Sequence, residues 1–367
     1  MANEKNLTYR QDEIKWTLNR LNAGNSCALV GVGSVGKSNL VRHLMRPEVH
    51  KTYLGKDADQ LHLILIDPNN MLDMLPPVTG STDRTSWAGY EIMTHRLYRY
   101  FHPYFAQMPP AIATEFYEVY QNLLDGENPM TTHTGLRMLE HCVDLMIGQG
   151  SRLAFVFDEF EHLLQELPPK FFRTLRGIRD DHKYDLMYVT VSRKTMPELV
   201  IEHGYDYDAL EPFIELFSDN IRYISALSEP DARDMLAELA QRQEMPCTPL
   251  MADLLLRITG CHSGLLRSAF SASRELSDEM ADEAAVKRLS RLHGIQAEAR
   301  TLWLSLEARE QAVLLSLIGQ RPDPIDPRQP EFRILREKQL ISKNGDRYSV
   351  TPPLLAACLI TWDFATP

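Results

Sequence analysis

Five residues near the start of the chain have the types and the spacing that bind a phosphate chain. They follow the apolar strand-like run 27–30 and are Gly31, Gly33, Gly36, Lys37 and Ser38. The spacing matches the pattern G-x-x-x-x-G-K-[ST], in which glycines let backbone N–H groups curl around phosphate oxygens. Lys37 would reach the β- and γ-phosphates, and the Ser38 hydroxyl would bind Mg²⁺.

The whole loop, with the first turn of the helix after it, is predicted to bind a nucleoside triphosphate. The predicted binding residues are Gly31, Val32, Gly33, Ser34, Val35, Gly36, Lys37, Ser38 and Asn39. A glycine-rich turn that binds nothing is the alternative. It is disfavoured because an apolar strand precedes the loop and a helical pattern follows it.

A second set of residues could handle the metal ion and water. The apolar run 153–157 is followed directly by Asp158 and Glu159. In this class of site an acidic residue at a strand end helps to hold Mg²⁺, and a neighbouring carboxylate can polarise the attacking water. We therefore assign Asp158 to the metal and Glu159 to the water. The alternative is that both merely favour the start of a helix.

Three arginines, three positions apart, follow in the segment 170–179. The apolar residues there form a core-facing stripe, so Arg173, Arg176 and Arg179 would fan over the opposite face. An arginine in this position could reach the γ-phosphate of a neighbouring subunit, and Arg176 is the preferred candidate. A solvated basic face is the competing interpretation.

Two further positions could sense the terminal phosphate. Ser192 and Arg193 end the strand 186–191, where a polar group can contact the γ-phosphate or orient water; ordinary strand-end capping is the alternative. Arg267 lies one turn into a later helix and could lean over a nucleotide, unless it is a plain surface residue. For His262, just before that helix, a structural role is favoured.

The elements that must position these residues alternate between strands and helices up to about residue 224. Apolar runs at 61–66, 153–157, 186–191 and 221–224 predict strands of a parallel sheet with helices on both faces. Ligands of such sheets bind at the carboxyl ends of the strands. The loop and the residues that follow the strands at 158 and 192 should share that edge.

The pattern changes after residue 224. Ser228, Thr248 and Ser263 each begin a helix, and two further helices and a hairpin around 343–346 follow them. The expected domains are a nucleotide-binding core (1–225), a helical lid (226–298) and a winged helix (299–367).

Composition narrows the function further. The 367 residues carry a formal net charge of −11, which argues against a protein that coats nucleic acid. Five cysteines without a close pair predict free thiols in the cytoplasm, and no apolar run is long enough to cross a membrane.

Aromatic and basic residues alternate between 87 and 105. This mixture could bind nucleic acid, although a helix with a buried aromatic face is favoured.

The order of these motifs resembles the AAA+/STAND ATPases, and more narrowly the prokaryotic STAND-type and initiator-like (origin-recognition clade) members. The resemblance implies an α/β P-loop core with lid and winged helix, a Walker A motif at Gly31–Ser38 and a Walker B motif at Asp158–Glu159. It implies sensors at Arg193 and Arg267. Adenine contacts are implied near Arg10, which here lacks the glycine that precedes it in relatives.

Two functions follow as hypotheses, with a metabolic kinase as a weaker third. The first is a slow, regulatory ATPase, a switch that binds ATP or ADP with Mg²⁺ and controls self-assembly or a separate effector, as in conflict and defence systems. The second is an ATP-dependent DNA-binding protein of replication or transposition. Eight basic and eight acidic residues balance each other from residue 306 onward. Because DNA-binding winged helices are usually basic, the first hypothesis is favoured.

Overall fold

The computed structural model describes residues 6–71, 86–124, 131–320, 326–345 and 347–362. The chain divides into two compact units. The sheet unit comprises residues 12–29 and 41–222, and the lid unit comprises residues 1–11, 30–40 and 223–367. In the described part of the chain, no helix is both long and apolar enough to cross a membrane.

A five-stranded sheet organises the sheet unit. Its strands are β1 (Cys27–Val30), β2 (Leu61–Ile66), β3 (Arg152–Phe157), β4 (Leu186–Ser192) and β5 (Ile221–Tyr223), in the order β2-β3-β4-β1-β5. β3 pairs in parallel with both β2 and β4. All seven residues of β4 are buried, as expected for a strand with both faces covered. The parallel sheet predicted from the sequence is therefore confirmed.

Helices alternate with these strands along the chain. They are α1 (Gln11–Asn22), α2 (Lys37–Leu44), α3 (Pro47–Leu54), α4 (Trp87–Phe101), α5 (Pro110–Leu124), α6 (Thr131–Gly148), α7 (Phe160–Glu166), α8 (Pro169–Asp181), α9 (Met196–Glu202) and α10 (Tyr207–Ile214). α4, α5 and α6 are inserted together between β2 and β3. The loop 31–36 joins β1 to α2, as the motif requires.

The apolar stripe of α8 anchors that helix on the sheet. Its buried members are Phe171, Phe172, Leu175 and Ile178. Phe172 contacts the rings of Phe160 and Phe213 edge-on or at a tilt, and the Tyr188 hydroxyl of β4 donates to the carbonyl oxygen of Leu175 at 2.8 Å. Each fully buried phenylalanine contributes about 1.5–3 kcal/mol of hydrophobic stabilisation. The stripe thereby fixes which face of α8 carries the arginines.

The aromatic residues of α4 are mostly core residues. Tyr98 stacks on Tyr120 of α5 with ring centroids 3.9 Å apart and planes 10° from parallel. His95 shares a 2.7 Å hydrogen bond with the same Tyr120 hydroxyl. Gly89 touches α8 so closely that a Cβ there would lie 2.5 Å from the Phe171 ring. This packing agrees with the favoured interpretation, a helix with a buried aromatic face.

The lid unit is mainly helical. Its elements are α11 (Glu229–Arg242), α12 (Pro249–Thr259), α13 (Ser263–Ser271), α14 (Asp282–Leu289), α15 (His293–Leu304), α16 (Ala308–Leu317), α17 (Pro330–Glu337), β6 (Ile341–Asn344), β7 (Arg347–Val350) and α18 (Pro353–Thr361). Ser228 caps α11 and Thr248 caps α12 through their side-chain oxygens, as predicted. The boundary expected after residue 298 falls inside α15, because no proline or glycine interrupts that helix after Gly294.

The C-terminal part contains two helices and an antiparallel hairpin in the predicted order, followed by a final helix that the sequence analysis did not predict. Strands β6 and β7 pair from Ile341↔Val350 to Asn344↔Arg347. Lys338, just after α17, donates to a Glu310 carboxylate oxygen of α16 at 2.6 Å, and these side chains are 1% and 0% exposed. The other Glu310 oxygen accepts the N–H of Glu307. This buried ion pair ties α16 to the end of α17.

Candidate functional site

The predicted phosphate loop has the backbone shape of an anion cradle. Ser34 and Gly36 both have positive φ angles, +56° and +100°. A φ of +100° is strained for any residue with a Cβ, which accounts for glycine at position 36. Successive N–H groups in such a loop, together with the start of α2 at Lys37, would favour an anion.

Lys37 lies over its own loop. Its ammonium group donates to the carbonyl oxygens of Gly31 at 2.6 Å and Val32 at 3.2 Å. The cation is thus held beside the backbone amides that would receive phosphate. These residues fit a nucleoside polyphosphate: residues 31–39 would hold the phosphates, and Ser38, which is exposed, would contribute its hydroxyl to Mg²⁺.

Arg10 fastens the loop to the lid helices. Its side chain is buried, and its guanidinium donates to the carbonyl oxygens of Val35 at 2.5 Å and Ser225 at 3.0 Å. Its backbone N–H donates to the Asp231 carboxylate of α11 at 3.1 Å. The structure therefore brings Arg10 to the loop that the sequence assigns to nucleotide. We call residues 31–39 together with Arg10 the loop half of the site.

Glu159 stands at the end of β3, where the sequence predicts the catalytic carboxylate. Its backbone adopts φ +46°, and its N–H bonds to the carboxylate of Asp158 at 3.0 Å. Its own carboxylate accepts a 3.1 Å hydrogen bond from the side-chain amide of Asn69, and the His162 ring lies 3.4 Å away. Asp67, which ends β2, holds Asn69 through both its backbone and its side-chain N–H groups. Glu159 is therefore held by the neighbouring strand end.

Arg193 joins the same edge of the sheet. It follows β4, and its guanidinium lies 3.3 Å from a carboxylate oxygen of Glu161 in α7. The hydroxyl of Ser192 instead donates to the carbonyl oxygen of Lys194. We call the group at the carboxyl ends of β2, β3 and β4 the acidic half of the site. Its members are Asn69, Asp158, Glu159, Glu161 and Arg193.

Arg176, predicted to act on a neighbouring subunit, is engaged within its own chain. It contacts Asp180 at 2.7 Å and donates to the carbonyl oxygen of Pro212 at 2.7 Å. Both partners belong to the packing of α8 against α10. Arg173, one turn earlier on α8, is exposed. A role of Arg176 in a second subunit would require its present contacts to break.

His262 and Arg267 stand at the start of α13. His262 is buried and caps the helix by accepting the N–H of Leu265 on its ring nitrogen, which fits the structural role favoured for it. Burial, reinforced by the positive charges of Arg10 and Lys37, lowers the pKa of His262 to about 4. Arg267 is paired with Glu298 of α15 at 3.1 Å.

The sequence analysis did not identify the residues that form hydrogen bonds to the predicted site residues. Asn69 had a usable signal, because it lies just beyond the Asp67 that ends a predicted strand. Glu298 and Ser305, which contact Arg267 and the loop, had none. They lie on or beside an ordinary helix more than 200 residues further along the chain.

The sequence matches no protein-family model and no curated protein. Several solved structures are similar. The Walker-type ATPase PABY2304 of Pyrococcus abyssi is 14% identical, with 96% of this chain and 95% of that chain covered and a TM-score of 0.50. The ORC2 protein of Aeropyrum pernix in its ADP form is 13% identical, with 98% and 93% covered and a TM-score of 0.44. At such identities, the first similarity demonstrates the fold of a Walker-type ATPase, with the five-stranded sheet described above.

Proposed function

We propose that this protein binds and slowly hydrolyses ATP, and that it works as a molecular switch of the AAA+/STAND type. One observation carries the proposal. The phosphate loop is bonded at three successive residues, 33, 34 and 35, to groups from the lid helices or from the N-terminal segment. A ligand in that loop would compete with or rearrange these bonds. Nucleotide binding would therefore be coupled to the position of the helices that follow residue 223.

The proposal assigns roles to the residues that would bind the phosphates, the metal ion and the attacking water. Bound ATP supplies the phosphoanhydride bond, and Mg²⁺ neutralises its charge. The loop amides and Lys37 hold the phosphates, while Ser38 and Asp158 hold the metal ion. Glu159 orients the attacking water and accepts its proton.

Four arginines are proposed to act at the nucleotide. The proposal assigns Arg193 and Arg267 to the terminal phosphate, and Arg176 to the nucleotide of a neighbouring subunit. Arg10 holds the loop next to the adenine site. The roles of Arg193, Arg267 and Arg176 each require a present partner to be exchanged, because these arginines are bonded within the chain. Arg10 already contacts the loop and needs no exchange.

The contact between Asn69 and Glu159 makes slow turnover the expected behaviour. A carboxylate that accepts a hydrogen bond from an amide is a weaker base and is held in one orientation. Release of Glu159 would accompany assembly or binding of a partner. The output would be self-assembly on ATP binding, or control of a separate effector in a cytoplasmic conflict or defence system.

Light scattering tests the switch. ATP with Mg²⁺ should shift the protein to a larger assembly, and Lys37→Ala should abolish the shift. Lys183→Ala removes a lysine of the sheet unit that lies outside both halves of the site, and it should leave the shift intact. An unchanged monomer in both nucleotide states contradicts the switch.

A second candidate function, ATP-dependent DNA binding, is favoured by one surface feature. A cavity of about 300 Å³ opens beside α17 and the hairpin of the predicted winged helix. Its lining includes three arginines and two polar residues, Arg328, Arg333, Arg336, Gln329 and Tyr348. Arginine side chains suit a phosphate of the DNA backbone.

Fluorescence anisotropy with a labelled duplex tests DNA binding. Affinity should fall steeply with salt, and Arg336→Ala should reduce the salt slope by about one. Lack of binding at low salt removes this candidate.

A further inference from the structure

One face of α15 lies on the phosphate loop. Glu298 and Thr301 of this helix, and Ser305 just after it, are three and four positions apart and therefore point the same way. The Gly33 N–H donates to the Ser305 hydroxyl oxygen at 2.9 Å, and this bond is buried. A Cβ on Gly33 would lie 2.6 Å from the carbonyl oxygen of Thr301. Helix and loop backbone are thus in direct contact.

The first turn of α13 closes the loop from a second side. The hydroxyl of Ser263 donates to the carbonyl oxygen of Ser34 at 2.6 Å, and the N–H of Gly264 donates to the same oxygen at 3.0 Å. A Cβ on Gly264 would lie 2.5 Å from both the Ser34 side chain and a carboxylate oxygen of Glu298. The lid helices therefore bond to the N–H of Gly33 and to the carbonyl oxygen of Ser34, two adjacent residues of the loop.

The chemistry of this face resembles that of the anion the loop would bind. The Thr301 carbonyl belongs to the last turn of α15, the negative end of its dipole. Glu298 adds a full negative charge beside Gly264 at the start of α13, the positive end of that helix. One of its oxygens pairs with Arg267, and the other is buried without a hydrogen-bond partner among the described residues. The Glu298 carboxylate thus lies at the N-terminal end of α13, where the helix dipole favours negative charge.

We propose that α15 is a latch over the phosphate loop, and that Glu298 competes with the terminal phosphate of bound nucleotide for Arg267. The proposal rests on the proposed function and names how that site is regulated. ATP carries the phosphate that can replace Glu298 at Arg267, whereas ADP lacks it. The triphosphate opens the latch, and Ser305 then leaves Gly33, which frees the start of α16.

The energies suit a latch that a ligand can displace. Arg267 is 56% exposed, so its pair with Glu298 adds little to the stability of the closed form. The unpartnered Glu298 oxygen disfavours the closed form, because a buried acceptor without a donor loses its hydration. The closed form therefore depends on the bonds at Gly33 and Ser34, which exchange partners when the loop receives phosphate.

Hydrogen–deuterium exchange of the nucleotide-free protein tests the closed form directly. Ser305→Ala removes the hydroxyl that accepts the Gly33 N–H, and it should speed exchange of the loop amides between residues 31 and 36 by about fivefold or more, the range typical of coupled sites. Arg300→Ala changes an exposed residue of α15 and should leave loop exchange unchanged. Equal loop exchange in the wild type and both variants overturns the latch, whatever the nucleotide experiments give.

Nucleotide affinities, measured with fluorescent ATP and ADP analogues, test the competition. Glu298→Ala should tighten ATP binding about fivefold to tenfold and ADP binding less. Arg267→Ala should leave loop exchange close to that of the wild type but remove the preference for ATP. Equal gains for ATP and ADP in Glu298→Ala contradict competition at Arg267. If neither ATP nor ADP binds to the wild-type protein, the proposed function fails. The hydrogen–deuterium exchange result then still decides whether α15 is a latch.

Discussion

The loop half and the acidic half of the proposed site are assembled over very different distances along the chain. The bonds between the loop and the lid helices join residues 229 and 272 positions apart. In the acidic half, Asn69 and Glu159 are 90 positions apart, and every member follows one of three consecutive strands. The residues proposed for hydrolysis therefore all belong to the sheet unit. The loop proposed to bind phosphate is instead contacted by helices from the other end of the chain.

Because of this difference, we expect substitutions in one half to impair its own role without impairing the role of the other half. A change in the acidic half should alter turnover without altering nucleotide affinity. A change in the lid helices should alter affinity and loop exchange without altering the orientation of Glu159. The following predictions test that separation.

The largest effect is expected from Glu159→Gln. The amide keeps the size of the side chain but cannot accept a proton from water, so the rate of ATP hydrolysis should fall by about 10²–10⁴-fold. Steady-state phosphate release measures the rate, and a fluorescent analogue measures affinity, which should stay unchanged. A loss of affinity as large as the loss of rate would mean that the two halves are not separable.

The buried ion pair should dominate the stability of the lid unit. Glu310→Ala leaves the Lys338 ammonium buried without its carboxylate, which should cost about 3–5 kcal/mol of unfolding free energy. Urea unfolding measures the loss. The double variant Glu310→Leu/Lys338→Met replaces both charges with apolar groups and should recover most of it. A double variant as unstable as the single one contradicts the ion-pair explanation.

Acid should destabilise the lid unit through His262. Its pKa is about 4 in the folded protein, below the ordinary value of 6.5, so the unfolded chain binds the additional proton. Stability is then full above pH 6.5 and falls as the pH drops from about 6.5 to about 4. His262→Asn keeps a capping oxygen but cannot titrate. Its unfolding free energy should decline less over that range, and an identical decline refutes the assignment.

Two glycine substitutions contrast the units. Gly264→Ala should destabilise the protein by about 1–3 kcal/mol, because the new methyl group meets Ser34 and Glu298. Gly177→Ala meets no atom within 4 Å and lies inside α8, so it should stabilise by about 0.5–1 kcal/mol. Thermal unfolding measures both. If both variants changed the stability in the same direction, close packing of the lid helices on the loop would not explain the effect of Gly264→Ala.

The smallest effect is expected from Asn69→Ala. Removing the amide frees Glu159 to orient water, so hydrolysis should accelerate severalfold while ATP affinity stays constant. Asn70→Ala removes a neighbouring amide of the same turn and serves as its control. A slower Asn69 variant would mean that this contact positions Glu159 for catalysis instead of restraining it.

The sequence predicted the fold and the placement of Asp158, Glu159 and Arg193 at one edge of the sheet, because both depend on local patterns. Apolar runs such as 153–157 must be strands buried on both faces, and the residues after them must lie at the edge of the sheet. The loop was predicted equally well, because glycine at position 36 is dictated by backbone conformation.

The environment of the loop could not be predicted. Glu298 has the sequence context of any solvated helical glutamate, and Ser305 that of any residue that ends a helix. Their contacts arise only when distant helices pack, and no periodicity or spacing in a single sequence records that packing. The Pro212 partner of Arg176 was hidden for the same reason, since that contact joins two helices.

The buried hydrogen bond between Gly33 and Ser305 has a consequence for spectroscopy. A single amide proton there points either at a hydroxyl of the protein or away from it, so its NMR chemical shift distinguishes the two conditions of the lid. The chain has 18 glycines in 367 residues. Labelling glycine nitrogen alone would thus give a sparse spectrum, in which one peak follows the lid during a nucleotide titration.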